Sequence, residues 1–266
     1  MTDRRNAMAD AWGEADWGAS DFDVIAAHFA SMHDDLVARL EPGPGVKWLD
    51  LACGTGPVAL RAARAGARVT ASDFAPALVA RAQAKSVREG LDIAFGVVDC
   101  QHTPYRSASF DVVSSAVGVF IAPDHAAVAR ELARLVRPGG RIGLTAWRGP
   151  GIREVIELRR EYTTAPVEGD DLLDWGRDDY VEVLLGDTFE LSFASGDAPL
   201  VGESGVVLWD ELATHHGPMK LLAEHLPDER RAELRERMIA MFERDRVGDH
   251  IEQPRPYVVI LGTRRG

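Results

Sequence analysis

The residues best placed to do chemistry lie in one glycine-containing turn and in the segments that follow it. Gly54 and Gly56 open a Gly-x-Gly-x-x-Ala pattern, and Asp73 follows about 20 residues later. Glycines lack a Cβ, so they let the backbone turn tightly and approach a ligand closely. A carboxylate at the Asp73 position can accept hydrogen bonds from both hydroxyls of a ribose. The pattern therefore predicts a site for a ribose-containing ligand.

The elements around this turn alternate between strand and helix. Residues 46–51 have the apolar content of a buried parallel strand, and Pro57 suits the first position of a helix. Asp124 is predicted to cap a later helix that ends at Pro138-Gly139-Gly140. Further strands are predicted at 68–72, 93–98, 110–114 and 141–147, and a helix at 76–85. Repeated units of this kind place ligands beyond the carboxyl ends of parallel strands.

The predicted fold class is α/β, with a Rossmann-like, doubly wound, mostly parallel seven-stranded sheet and helices on both faces. Residues 1–266 are interpreted as a single domain in three parts. Residues 1–45 form a helical lid that carries Trp12 and Trp17 near its start. Residues 46–147 form the ligand-binding core, and 148–266 form a substrate-covering part. Its predicted elements are helices at 152–162, 178–185, 205–225 and 228–246 and strands at 189–194 and 256–263, so a helical insertion precedes the last strand.

Composition narrows the classes of function. The formal net charge is −12, which argues against nucleic acid as a partner because such proteins carry basic patches. The two cysteines, Cys53 and Cys100, predict no disulfide framework and fit a cytoplasmic protein. The longest apolar stretch, 110–122, is too short and too interrupted to span a membrane. We predict no metal site, expect a small-molecule substrate, and leave a homodimer open.

Three further details separate the candidate cofactors, since nicotinamide, flavin and S-adenosylmethionine (SAM) enzymes share the glycine spacing. Asp50 precedes the turn, where its carboxylate would repel a pyrophosphate but could accept from an amino group or hold the loop. Asp99 closes the third strand, where it could accept from an adenine amino group. A tight break, Arg137-Pro138-Gly139-Gly140-Arg141, precedes the fifth strand. Together these residues resemble class I SAM-dependent methyltransferases, in the small-molecule (type 11) branch that includes the quinone-biosynthesis enzymes.

The resemblance covers 46–147 and implies a SAM site that releases S-adenosylhomocysteine (SAH). Residues implied at the methionine end are Asp50, Ala52, Gly54 and Gly56. Those implied at the ribose and adenine are Asp73, Phe74, Asp99 and Cys100, and Ser115 and Ala116 would border the transferring methyl. One departure is Ala52, where many members have glycine; we expect it to crowd the loop only slightly.

Methyl transfer from SAM depends mainly on aligning a nucleophile with the S–CH₃ bond, so a general base is optional. Histidine is the side chain best suited to such a role near neutral pH. His28 and His33 lie on the N-terminal helix, and His215 and His216 lie in the insertion. We take His28, His215 and His216 as candidates for a base or for orienting the substrate.

Two alternatives remain open at this stage. An NAD(P)-dependent oxidoreductase on a similar fold is disfavoured by Asp50 and by the lack of a Tyr-x-x-x-Lys pair. A SAM-binding protein without catalysis, acting through a partner, has the same cofactor motif. The reading we adopt is a SAM-dependent methyltransferase that acts on a metabolite or natural product at an O, N or C nucleophile.

Overall fold

A seven-stranded sheet organises the chain in a computed structural model that describes residues 17–18, 20–163 and 169–266. Its strands and those of a smaller sheet are β1 (Lys47–Leu51), β2 (Arg68–Asp73), β3 (Ile93–Val97), β4 (Phe110–Ala116), β5 (Val136–Trp147), β6 (Phe189–Asp197), β7 (Leu200–Gly202), β8 (Arg246–Val247), β9 (His250–Gln253) and β10 (Pro256–Arg264). The helices are α1 (Asp23–His28), α2 (Ala30–Leu40), α3 (Pro57–Arg64), α4 (Pro76–Arg88), α5 (His125–Leu135), α6 (Pro150–Arg160), α7 (Asp178–Leu185), α8 (Gly205–His215), α9 (Gly217–His225) and α10 (Asp228–Glu243). Short 3₁₀ turns lie at Val119–Ile121 and Leu172–Gly176.

The large sheet has the strand order β3-β2-β1-β4-β5-β10-β6. Strands β1 to β5 pair in parallel, and β10 is antiparallel to both β5 and β6. The predicted seven-stranded, mostly parallel sheet is therefore confirmed. Because the chain direction reverses only at β10, the carboxyl ends of β1, β2, β4 and β5 meet at one edge, together with the start of β10.

Strand β1 lies inside the sheet because its residues are apolar on both faces. Trp48 and Leu49 are fully buried, and Leu49 pairs with Thr70 of β2 on one side and Val113 of β4 on the other. A strand buried on both faces is expected to be a continuous apolar run, as this one is apart from the exposed Lys47 at its start and Asp50. The strand order reverses beside β1, which is where such sheets bind ligands.

The N-terminal helices pack on the sheet through apolar residues that recur at helical spacing. Met32, Leu36 and Leu40 of α2 are fully buried, and Ile25 of α1 is nearly so. Leu40 lies over Gly143 of β5, where an added Cβ would come within 2.5 Å of the leucine Cδ1. Helix α2 is therefore part of the core, while α1 lies nearer the carboxyl edge. Trp12 falls outside the described residues.

One boundary prediction is wrong, at the junction of α5 and β5. Asp124 caps α5 as predicted, accepting from the Ala127 N–H at 2.7 Å. The helix ends at Leu135, however, and Val136 is already extended. The segment 137–140 lies within β5 and forms a bulge. Val136 before it pairs with Phe110 of β4, and Arg141 after it pairs with Val112. Proline disfavours helical backbone in the residue before it, so the chain leaves the helix earlier than Pro138 itself.

The region between β6 and β10 contains the predicted helices, although the one predicted at 205–225 is divided at His216 into α8 and α9. It also contains strands that the sequence did not predict. Helices α8, α9 and α10 form the insertion. Strands β7, β9 and β8 form a second, three-stranded antiparallel sheet around it. These strands have two to four residues each, which is too short for a period-two pattern to stand out.

Replacing Leu40 by alanine tests whether α2 is a core element. We expect Leu40→Ala to lower the free energy of unfolding by about 2–5 kcal/mol, because it removes a fully buried side chain seated on Gly143. Val87→Ala is the matched control, since Val87 is 73% exposed, and should change stability by less than about 0.5 kcal/mol. Urea unfolding followed by circular dichroism measures both, and equal losses would contradict the assignment.

Candidate functional site

A deep cavity opens at the carboxyl edge of the large sheet. It encloses about 1370 Å³, counting the part that opens to solvent. Its walls come from the ends of β1, β2, β4 and β5, the N-terminal helices, α6 and the α8–α9 connection. The lining includes the predicted glycine turn, and most of the remaining wall is apolar, with Phe29, Phe120, Trp147, Val155, Leu212 and Met219.

The glycine turn follows β1 and takes a backbone conformation that most residues avoid. Ala52, Gly54 and Gly56 have φ values of 51°, 53° and 85°. The turn is held by a hydrogen bond from the Cys53 N–H to the Ser72 carbonyl oxygen at 2.9 Å. Ala52 has room for its Cβ because Gly118 faces it, and a Cβ on Gly118 would lie 2.7 Å from that of Ala52. The departure from glycine at Ala52 is therefore matched by glycine at position 118.

Asp73 borders the cavity and connects the glycine turn to the end of β2. Its Oδ2 accepts from the Gly54 N–H at 2.8 Å, and its Oδ1 accepts from the Ala75 N–H at 2.9 Å. Burial raises the pKa of Asp73 to about 6, although the backbone donors act in the opposite direction. A carboxylate has about four acceptor positions, so Asp73 keeps acceptor capacity for a ligand hydroxyl beside its backbone donors. The geometry suits a diol held beside the turn.

Asp50 lies behind the turn and does not reach the cavity, contrary to its predicted place at the methionine end. Its Oδ2 accepts from the Ala59 N–H at 3.1 Å, and its Oδ1 accepts from the Ser114 hydroxyl at 2.7 Å. Ser114 in turn accepts from the Trp48 indole at 2.8 Å. Burial raises the pKa of Asp50 to about 7. The sequence allowed Asp50 either to accept from a ligand amino group or to hold the loop. These hydrogen bonds support the second role.

The other predicted cofactor residues divide between the cavity wall and the layer behind it. Ala52, Gly54, Phe74 and Ala116 border the cavity together with Asp73. The residues behind the wall are Gly56, Asp99, Cys100 and Ser115. The Asp99 carboxylate accepts from the Gln101 backbone N–H at 2.9 Å, and the Ser115 hydroxyl accepts from the Val119 N–H at 3.0 Å. These side chains shape the loops around the cavity. Burial raises the pKa of the Cys100 thiol, which disfavours a reactive thiolate.

Helix α1 lies beside the glycine turn, and its side chains make hydrogen bonds with the turn and α4 on one side and with α8 on the other. Asp23 accepts from the Thr55 hydroxyl in the turn and from Lys85 of α4. On the other side, His28 Nε2 lies 2.9 Å from the Glu211 carboxylate of α8. His28 is thus occupied in a hydrogen-bond contact away from the cavity, contrary to its predicted place at the substrate. His33 of α2 borders the cavity instead.

The histidines of the insertion also differ in position. His215 lies away from the cavity, whereas His216 borders it beside the rings of Trp17 and Phe22. The Met219 N–H donates to His216 Nδ1 at 3.3 Å, so the neutral ring carries its proton on Nε2. Burial lowers the pKa of His216 to about 3 and that of His33 to about 4. At neutral pH, His216 is therefore a hydrogen-bond donor and a poor base.

Sequence reasoning missed two arginines on the cavity wall, Arg159 of α6 and Arg255 just before β10. Neither belongs to a motif, and Arg159 lies within an ordinary amphipathic helix pattern. Arg255 stands between two prolines, a fixed setting that could have marked it. Within the residues that the structure describes, no cluster of histidine, cysteine or acidic side chains is placed to hold a metal ion. None of the helices in the described ranges is long and apolar enough to cross a bilayer.

Comparison with known proteins agrees with this geometry. A family model described as a methyltransferase domain matches residues 49–144, which contain the glycine turn, Asp73 and Asp99. The uncharacterized protein Rv1405c of Mycobacterium tuberculosis is 37% identical over 187 residues, which is 69% of this chain and 68% of that one. Nocamycin O-methyltransferase of Saccharothrix syringae is 38% identical over 114 residues, 41% of each chain.

A solved structure gives the same result for the fold. The YcgJ protein of Bacillus subtilis matches with a TM-score of 0.62 and 18% identity, covering 88% of this chain and 98% of that one. The fold, the glycine turn and the carboxylate that follows it are shared by several classes of nucleotide-cofactor enzymes, and the family match selects the class I SAM-dependent methyltransferases among them. The chain belongs to this methyltransferase family, whose cofactor is SAM.

Replacing Asp73 tests its assignment to the ribose. We expect Asp73→Ala to weaken SAH binding at least tenfold, because the variant loses the carboxylate beside the turn. Isothermal titration calorimetry with SAH measures this, with circular dichroism to confirm folding. Asp187→Ala is the matched control, since Asp187 is exposed before β6 at the opposite edge of the sheet. Unchanged affinity in Asp73→Ala would mean that the ribose assignment is wrong.

The buried carboxylate of Asp50 should make stability depend on pH. Its pKa is about 7 when folded, against an ordinary value of 3.8, so the folded state binds the proton more tightly. This group therefore lowers the free energy of unfolding as pH rises from about 4 to 7, by on the order of 4 kcal/mol at most. We expect Asp50→Asn to gain stability relative to the wild type as pH rises across that interval.

The measurement is urea unfolding of both proteins at pH 5 and pH 8. The informative quantity is the difference in the free energy of unfolding between the two proteins, because His33 and His216 change the stability of both proteins with pH in the sense opposite to Asp50. Their lowered pKa values mean that protonation below about 6.5 favours the unfolded chain. A difference that does not change with pH would show that Asp50 is not protonated more readily in the folded state.

Proposed function

We propose that the chain transfers the methyl group of SAM to a small, largely apolar molecule and releases SAH. The observation that carries this proposal is one continuous cavity with two unlike ends. Gly54 and Asp73 lie at one end, where a cofactor with a ribose fits. The other end has aromatic and aliphatic walls suited to an apolar acceptor. A partial relative, nocamycin O-methyltransferase, is by its name a methyltransferase that acts on an oxygen.

The residues present fit the cofactor that the family uses. Asp73 and the glycine turn would hold the ribose and the methionine part, and Phe74 would flank the adenine. Ala116 ends β4 and Val117 follows it, and both border the cavity, where the methyl would be transferred. Val117 has a φ of 46°, and its N–H donates to the Thr145 hydroxyl at 3.1 Å, so the loop after β4 is fixed.

The chemistry required of the protein is mainly alignment. SAM supplies a methyl group that is already activated by a positively charged sulfur. The apolar wall, including Phe29, Trp147 and Met219, would exclude water and orient the acceptor. Correct alignment of two reactants can lower a barrier by about 7–11 kcal/mol. This contribution needs no proton transfer.

The cavity favours acceptors that need little help from a base. The ionisable side chains on its described wall are Cys53, Arg159 and Arg255, together with His33, His216 and Asp73. His33 and His216 have pKa values of about 4 and 3, so neither takes a proton readily at neutral pH. Asp73 is committed to the turn and the ribose. His216 Nε2 is a donor that would hold an acceptor oxygen in place.

Incubation with isotopically labelled SAM tests the proposed function. Purified protein is added to a small-molecule extract of cells, and mass spectrometry identifies the compounds that gain the label. We expect at least one small apolar product, with SAH formed in equal amount, and at least a tenfold loss of both with Asp73→Ala. NAD(H) should not bind in calorimetry. If SAH binds but no compound is labelled, the protein is a SAM-binding protein without this activity.

A further inference from the structure

A buried arginine faces the acceptor end of the cavity. Arg255 is 4% exposed and borders the cavity. Its Nη2 donates to the Gln253 side-chain oxygen at 3.1 Å, while its buried Nε has no hydrogen-bond partner. A guanidinium carries five N–H donors, so most of its capacity to bind a ligand is unused among the described residues. The side chain is therefore equipped to bind an acceptor of hydrogen bonds.

The charge of Arg255 has no carboxylate partner within the part of the chain that the structure describes. Burial lowers the pKa of Arg255 to about 10, and no acidic group offsets this effect. Removing a charge from water without a counter-ion is costly, and buried charges in proteins are normally paired. An anionic group on a ligand would supply the missing pair. Apart from Arg159 and His216, the wall at this end of the cavity is apolar, which strengthens such a pair.

The backbone around Arg255 fixes the position of its side chain. Pro254 and Pro256 stand on either side, and the Arg255 N–H donates to Asp197 Oδ1 at 2.8 Å. The Arg255 carbonyl oxygen accepts from the Ala198 N–H at 3.2 Å. Gln253, which orients the guanidinium, is itself 1% exposed. A donor held in place before the ligand arrives loses little entropy on binding.

The position of Arg255 in the sheet separates it from the cofactor residues. It directly precedes β10, which lies three strands from β1 in the order β1-β4-β5-β10. Neighbouring strands are about 4.8 Å apart, so the two backbones are roughly 14 Å apart. Arg159 and His216 lie nearer, since the charges of Arg159 and Arg255 both lower the pKa of His216. Arg255 therefore belongs to the acceptor end.

We propose that Arg255 binds a carboxylate on the acceptor, and that the substrates of this enzyme are apolar molecules with such an anionic group. The inference rests on the proposed function and names its substrate class. A guanidinium and a carboxylate match in shape and pair through two parallel hydrogen bonds. The pair orients the acceptor while its apolar body lies against Val155, Leu212 and Met219.

The test compares a carboxylate with its neutral amide. Protein saturated with SAH is titrated in a calorimeter with 4-phenylbutyrate and, separately, with 4-phenylbutyramide. We expect the carboxylate to bind at least tenfold more tightly than the amide. Arg255→Met should abolish this preference, and Arg255→Lys should keep part of it because the charge remains. Arg244→Met is the matched control, since Arg244 pairs with Glu154 on the surface away from the cavity, and should keep the full preference.

Each other outcome would overturn the inference. Equal binding of the two probes, no binding of the carboxylate, or a preference that survives in Arg255→Met would each show that Arg255 does not select an anion. Weaker SAH binding in Arg255→Met would place the guanidinium on the cofactor. Failure of the proposed function is recognised separately, because it appears as loss of SAH binding or of label transfer in the wild type.

Thermal unfolding without ligand separates a binding role from a structural one. If the charge of Arg255 is paired only when a ligand binds, Arg255→Met removes an unpaired buried charge from the free protein. The melting temperature should then stay unchanged or rise. Addition of 4-phenylbutyrate should raise the melting temperature of the wild type but not that of the variant. A variant that melts several degrees lower and no longer responds to SAH would show that Arg255 supports the fold.

Discussion

A buried carboxylate at the end of a central strand holds the cofactor half of this protein together. Asp50 accepts from the first turn of α3 and from Ser114 of β4, so one side chain joins a strand, a helix and the neighbouring strand. Ser114 also accepts a hydrogen bond from the Trp48 indole, which connects the network to the core. Asp73 does a similar task one strand away, holding Gly54 to the end of β2. The glycine turn is thus fixed from two sides.

This arrangement explains why the turn can carry residues with left-handed backbone. Gly54 and Gly56 tolerate that conformation without a steric cost, while Ala52 does not. The network and the matching gap at Gly118 hold Ala52 in place despite the strain, which for a single non-glycine residue is on the order of 1 kcal/mol. The turn is consequently a rigid surface against which a ligand can be positioned.

The fold and part of the site were predictable from the sequence because their signals are local. Buried parallel strands, a proline at a helix start and a carboxylate after β2 each have a short pattern, and these placed β1 to β5 and Asp73. The role of Asp50 was decided by its contacts with Ala59 and Ser114, and Ser114 lies 64 residues away. Arg255 and His33 reach the cavity through packing between distant elements, and neither belongs to a motif, although the two prolines beside Arg255 mark a fixed backbone there. The strands β7, β8 and β9 were too short to be noticed.

The second sheet belongs to a part of the chain that is separate from the residues holding the glycine turn. Strand β9 runs directly into Gln253 and Arg255, and it pairs with β7 and β8 on either side of the insertion. One part of the cavity wall, with Leu212, His216, Met219 and Arg255, is therefore built by the last third of the chain. Among the described residues, this third makes none of the hydrogen bonds that hold the glycine turn. Mutations there can accumulate without harming the cofactor site. Evolution can in this way retain one methyl donor while exchanging the molecules that receive the methyl group.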